Sequence, residues 1–194
     1  MVGGTKTPGW SLNDRGRNLT DGDLLRSHTM ELLQDQSELQ GNIERHWDQI
    51  LSGKPEKTDQ FLRAYYASQV GERAPSRDLF DKFSQEFFGY VRPLTPTQAL
   101  QVEERVGLIR DAYDTFLRLT EGEWPYDESS VSAWQRDRLT RMLNVLGHTL
   151  CVPLLLSTYA CLTEEKFNSI VDTIERCAFS YVTIGLLPVS KTPS

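Results

Sequence analysis

From Leu39 to Leu51, five large apolar side chains (Leu39, Ile43, Trp47, Ile50 and Leu51) follow one another at steps of four, four, three and one, and every residue between them is polar or glycine. A strand puts alternate side chains on opposite faces and would need a step of two; steps of three and four lay them along one side of a helix. This spacing predicts an amphipathic helix whose apolar stripe needs a partner surface. Ser52-Gly53-Lys54-Pro55 stops it, because glycine tolerates a left-handed cap and proline cannot continue the backbone hydrogen bonding.

The same period recurs along the chain. Thr20 stands three residues before Asp23, a capping-box pattern, and opens a helix carrying Leu24, Leu25, Met30, Leu32 and Leu33. Phe61, Leu62, Tyr65, Tyr66 and Val70 mark a third helix. Pro75-Ser76 reopens a fourth with Leu79, Phe80, Phe83, Phe87 and Phe88, an aromatic stripe that reads as core. Thr95-Pro96 starts a long helix through Leu100, Val102, Val106, Ile109, Tyr113, Phe116 and Leu117, ending near Glu121-Gly122. After a polar loop from Glu123 to Ser130 come a helix through Trp134, Leu139, Met142 and Leu143, an apolar run from Leu150 to Tyr159 expected to be the most buried helix, and a last helix opened by Thr163-Glu164-Glu165 and closed by Gly185. No segment shows sustained strand alternation between turn signals, so the expected fold is all-α, an irregular bundle of about seven to nine helices. Residues 1–18 read as a lead-in, 19–186 as the helical domain and 187–194 as a flexible tail.

A core of this kind is within reach of 194 residues that are 39% hydrophobic and 25% charged. No run approaches the roughly 20 apolar residues that span a bilayer, and Met1 to Pro8 has no apolar secretory core. A cytoplasmic location is the expectation. Cys151, Cys161 and Cys177 lack the pairing of a disulfide framework and read as small core residues. The net charge of −6 gives no global attraction to nucleic acid, although Arg136, Arg138 and Arg141 gather basic charge on one stretch.

Catalytic patterns are scarce. His28, His46 and His148 have no His or Cys partner at metal-ligand spacing, and phosphate-loop, nucleophile-elbow and zinc-protease motifs are absent. His148 precedes Cys151 by three residues, which could bring an imidazole beside a thiol. Glu103-Glu104 and Glu164-Glu165 fall in early helical turns, where negative charge favours the dipole. The remaining constellation is Leu12-Asn13-Asp14-Arg15-Gly16-Arg17-Asn18-Leu19, running into Asp23-Leu24-Leu25-Arg26. Asn and Arg around a glycine, just before a helix N-terminus, suit an anion: the guanidinium offers a planar fork and the helix offers unpaired N–H groups. A capped turn carrying surface charges is the plainer reading.

The pattern from Leu12 to Arg26 resembles the second motif of the GmrSD-type restriction endonuclease family, which closes that family's ParB-like N-terminal domain. Phe61-Leu62-Arg63, the Phe-rich stretch from Leu79 to Phe88, and Pro153-Leu154-Leu155 followed by Leu162 to Gly185 look similar to later family elements and occur in the same order. The resemblance implies a phage-defence protein in which an N-terminal module hydrolyses a nucleoside triphosphate, with a divalent metal, and a C-terminal HNH nuclease cuts DNA that is often modified.

The chain has no Asp-Gly-Gln-Gln-Arg segment and no HNH residues, and Gly9-Trp10 stands where a Phe-Glu pair is usual. The resemblance therefore implies the central helical scaffold of such a protein, linking ParB-like and HNH domains. No complete active site is expected within the chain itself. It carries over Asn13, Arg15 and Gly16 as half of a nucleotide pocket, with Arg136, Arg138 and Arg141 as candidate DNA-facing residues. Two other readings stay open: a stand-alone helical protein-interaction adaptor, and a Cys-dependent hydrolase built on His148 and Cys151.

Overall fold

The computed structural model describes residues 19–75 and 77–185, with side chains up to Ser180. The expected turn at Asn13, Arg15 and Gly16 and the expected tail at 187–194 lie outside that range. Among the described residues there is no strand. Eight α-helices follow in order: α1 (Asp21–Leu32), α2 (Ser37–Leu51), α3 (Pro55–Val70), α4 (Leu79–Phe88), α5 (Pro96–Thr120), α6 (Ala133–Thr140), α7 (Val152–Cys161) and α8 (Glu164–Gly185). A π-turn, Arg141–Val145, extends α6, and a 3-10 turn, Thr149–Cys151, leads into α7.

The starts are set by local chemistry. Thr20, Thr95 and Ser132 each accept from the backbone N–H three residues on, while Asp23, Gln98 and Gln135 reach back to the cap's own N–H. Each box satisfies two backbone donors that the helix itself leaves unpaired. Pro55 and Pro96 occupy first-turn positions where no N–H is needed. The fourth helix begins at Leu79, later than the Pro75-Ser76 signal suggests, and Asp78 caps it without a side-chain bond.

The long α5 is the spine. The stripe of α2 (Ile43, Trp47 and Ile50, all fully buried) belongs to the most extensive helix pair among the described residues, that of α2 with α5. At the polar margin of that pair, Asn42 Nδ2 donates to Glu103 Oε1 at 2.9 Å. The aromatic stripe of α4 is core, as its spacing predicts. Phe83 and Phe87 lie 4.6 Å apart edge to face and meet Tyr65 and Tyr66 of α3, while Phe61 packs on Tyr113 and Phe116 of α5.

Helix α1 is tied to α2 at three points. Trp47 Nε1 donates to Thr29 Oγ1 at 2.9 Å inside the core, Arg26 bridges Glu44 and Asp48, and Gln40 donates to the Met30 carbonyl. Gly22 lets the first turn of α1 approach α2, since a Cβ there would stand 2.7 Å from Leu51 Cδ2. The far end of α5 is held in a comparable way. Gly122 turns the chain at a φ of 76°, Thr140 donates to its carbonyl, and Asn144 donates to that of Glu121.

Two expectations about burial are corrected. The run Leu150 to Tyr159 is not the most buried helix: Leu155 and Leu156 face inward, but Leu150 is 76% and Leu154 50% exposed. The cysteines are not core residues, since Cys161 and Cys177 are exposed and Cys151 is half-buried. In the first case, the run from Leu150 to Leu156 carries no charged residue to mark its outer face.

Truncating Trp47 to Ala should cost about 3–5 kcal/mol of stability in urea denaturation, the usual range for a large buried aromatic. Trp47→Phe should recover most of the packing and still cost about 1 kcal/mol for the lost bond to Thr29. Equal stabilities of Trp47→Phe and the parent would show that the Thr29 bond contributes nothing.

Candidate functional site

The Leu12–Arg26 motif enters the described residues at Leu19, and its second half is built into α1. Leu25 is fully buried and Arg26 is held by the two α2 carboxylates, at 3.1 Å from Glu44 and 2.9 Å from Asp48. Next to the start of α1, Asp21 and Asp59 of α3 share a half-buried corner with Arg63. Burial pushes both carboxyls above their ordinary range; Arg63 pulls each back down, and at Asp59 the neighbouring Asp21, Glu56 and Asp23 add to the rise. Arg63, the arginine of the Phe-Leu-Arg element, thus faces the end of the helical domain at which the motif arrives.

The three candidate DNA-facing arginines have different surroundings. Arg138 pairs with Asp172 and Glu175 of α8, Arg141 donates to Glu175 at 3.1 Å, and both guanidinium groups lie over the Trp134 ring, at 4.4 and 5.6 Å. Arg138 is 15% exposed, so most of its charge is spent inside the protein. Arg176 closes the same network on Asp172. The three do not form one free basic face; Arg138 and Arg141 are engaged with α8, and Arg136 alone of the three makes no ion pair among the described residues.

His148 and Cys151 do come close, but not as a dyad. The thiol donates to the His148 backbone carbonyl at 2.8 Å, and burial pushes its pKa up to about 11. A nucleophilic cysteine needs the opposite, a thiolate favoured by a nearby positive charge. No group of three or more His, Cys, Asp or Glu residues placed to hold a metal occurs among the described residues.

One charged centre was not foreseen. Glu164, expected only to favour the dipole of α8, accepts from Trp124 Nε1 at 2.8 Å, from the Ser129 hydroxyl, and from the Ser130 backbone and hydroxyl at 2.7 and 2.6 Å. It thereby folds the 123–130 loop onto α8, beside an aromatic cluster of Trp124, Tyr126, Tyr159 and Phe167. The Trp-Pro-Tyr and Ser-Ser groups in that loop were its only sequence signal.

No single helix among the described residues is long and apolar enough to cross a membrane. No protein-family model matches the chain, and no curated protein matches it.

Burial acts to raise the Glu164 carboxyl, but the bonds from Ser129, Ser130 and Trp124 outweigh it and hold it at about 2, below the ordinary 4.5. A carboxyl depressed on folding contributes stability above its unfolded pKa, and that contribution is lost as pH falls through the folded value. Between pH 4.5 and 2 the parent should therefore lose more stability than Glu164→Gln, which has no carboxylate to protonate. Parallel stability curves for the two proteins, measured by denaturation at each pH, would contradict this. Arg138→Ala should destabilise by about 1–3 kcal/mol, because Asp172 and Glu175 lose the partner they share and keep only Arg176 and Arg141, whereas Arg136→Ala should leave stability near that of the parent.

Proposed function

We propose that this chain is the central helical domain of a phage-defence protein of the GmrSD type, and that it couples a nucleotide-binding module to an HNH nuclease rather than performing chemistry itself. The observation that carries the reading is the anchoring of the motif's described half, from Leu19 to Arg26. Leu25 is locked in the core, and Arg26 is clamped by Glu44 and Asp48. A displacement at the start of α1 would thus be passed into α1 and α2 together, and from α2 to the spine α5. A rigid pair of helices, joined by a buried hydrogen bond and a bridged arginine, suits such transmission.

In this reading Asn13, Arg15 and Gly16 supply half of a nucleoside triphosphate site, and the flanking ParB-like domain supplies the rest with its divalent metal. Arg136 is the cation best placed to meet a DNA phosphate, while Arg138 and Arg141 chiefly hold α6 to α8. The hydrolase alternative loses support from the raised pKa and carbonyl-bound thiol of Cys151. The adaptor reading is favoured by exposed apolar side chains at Val145, Leu150, Leu154 and Phe179, and it predicts partner binding that ignores nucleotide.

Titration of a fluorescent GTP or ATP analogue against the chain and against Arg15→Ala tests the coupling reading. Weak binding is expected, falling by about tenfold or more in the variant, the equivalent of one charge-assisted phosphate contact. Equal binding by both proteins would remove Arg15 from the site and leave the adaptor reading in its place.

A further inference from the structure

Between α3, α5 and the start of α7 the chain encloses an open cavity of about 670 Å³ that none of the expected functions uses. That volume falls within the range of about 300–1,000 Å³ usual for small-molecule sites. Part of the lining is apolar: Ala64 and Ala67 of α3, with Phe116, Val152 and Pro153. The two alanines leave room that larger side chains would fill. The lining also holds Arg63, Arg73, Gln60, Thr120 and Thr149, which offer guanidinium, amide and hydroxyl donors.

Among the described residues no Asp or Glu lines this space. Arg63 also faces Asp21 and Asp59, so its charge is shared. Arg73, exposed on the loop beyond the α3 cap Gly71, lies apart from that corner in the chain and makes no ion pair among the described residues. The first turn of α7 also lines the space, and its cap residue Cys151 makes no side-chain bond to the helix N–H groups. Cationic and hydrogen-bond-donating groups beside apolar ones in a single lining, with no carboxylate there among the described residues, complement a ligand with a negative head and an apolar body.

We propose that this cavity binds a small amphipathic anion, with an aromatic or aliphatic body against Ala67 and Phe116 and a phosphate or carboxylate held by Arg73 with Arg63. The proposal does not depend on the coupling role, because none of the motif's described residues, from Leu19 to Arg26, lines the cavity.

The probe is 8-anilinonaphthalene-1-sulfonate, an aromatic body with one anionic group, followed by its fluorescence on the full chain. Saturable binding is expected, weakened about tenfold by Arg73→Glu, the equivalent of a lost charged contact. Ala67→Phe, which fills the hollow, should weaken it as much, and Arg45→Glu, the same charge change on the exposed side of α2, should leave it unchanged. Circular dichroism on each variant separates loss of binding from loss of fold, and Arg73→Glu carries the test if Ala67→Phe unfolds. Displacement of the probe by phenyl phosphate but not benzoate assigns a phosphate head, and the reverse assigns a carboxylate. Probe binding indifferent to Arg73→Glu, or equally reduced by Arg45→Glu, overturns the proposal.

Discussion

The hydrogen bond from the Trp47 indole to the Thr29 hydroxyl joins the two halves of the account. An indole N–H enclosed in a core must find an acceptor or bear the full cost of its lost hydration. Thr29 supplies that acceptor, and its own hydroxyl donates to backbone carbonyls of α1, 2.9 Å from that of Leu25. Once Trp47 is set, the α2 stripe has a fixed rotation, its outer edge meets α5, and Arg26 falls opposite Glu44 and Asp48. The aromatic packing of α3, α4 and α5 then follows from the remaining apolar faces.

The second half of the molecule is arranged differently. From α6 onward, fewer large side chains are enclosed and more of the organisation rests on polar groups. Glu164 gathers the 123–130 loop, Asp172 and Glu175 gather the arginines of α6, and Asn144 and Thr140 secure the end of α5. Such groups cost desolvation and return it only when fully partnered. The consequence is a part of the fold that responds to pH and to single polar substitutions more than the α1–α5 core does.

This division also explains what could be read from the sequence. The stripe of Ile43, Trp47 and Ile50, the aromatic stripe of α4 and the capping box at Thr20 are local patterns, and each of these elements forms. The polarity of α7 was hidden because Leu150 to Leu156 has no charged residue to show its outer side. Arg138 and Arg141 looked like a basic run because their partners lie 34 residues away. The one available signal was that Asp172 and Glu175 repeat the three-residue spacing of those arginines on a second helix. The turn at Asn13, Arg15 and Gly16 remains a reading from resemblance.

Coupling of this kind requires that α1 and α2 form a single mechanical unit continuous with α5. Native-state hydrogen exchange measures this directly, because each amide reports the free energy of the opening that exposes it. The amides around Leu25, Thr29, Trp47 and Ile109 are expected to exchange through one common opening, with the same free energy and the same denaturant dependence. If α1 instead opens alone, at a free energy near zero while α2 and α5 stay protected, displacement at the motif cannot be passed into the bundle and the coupling account fails.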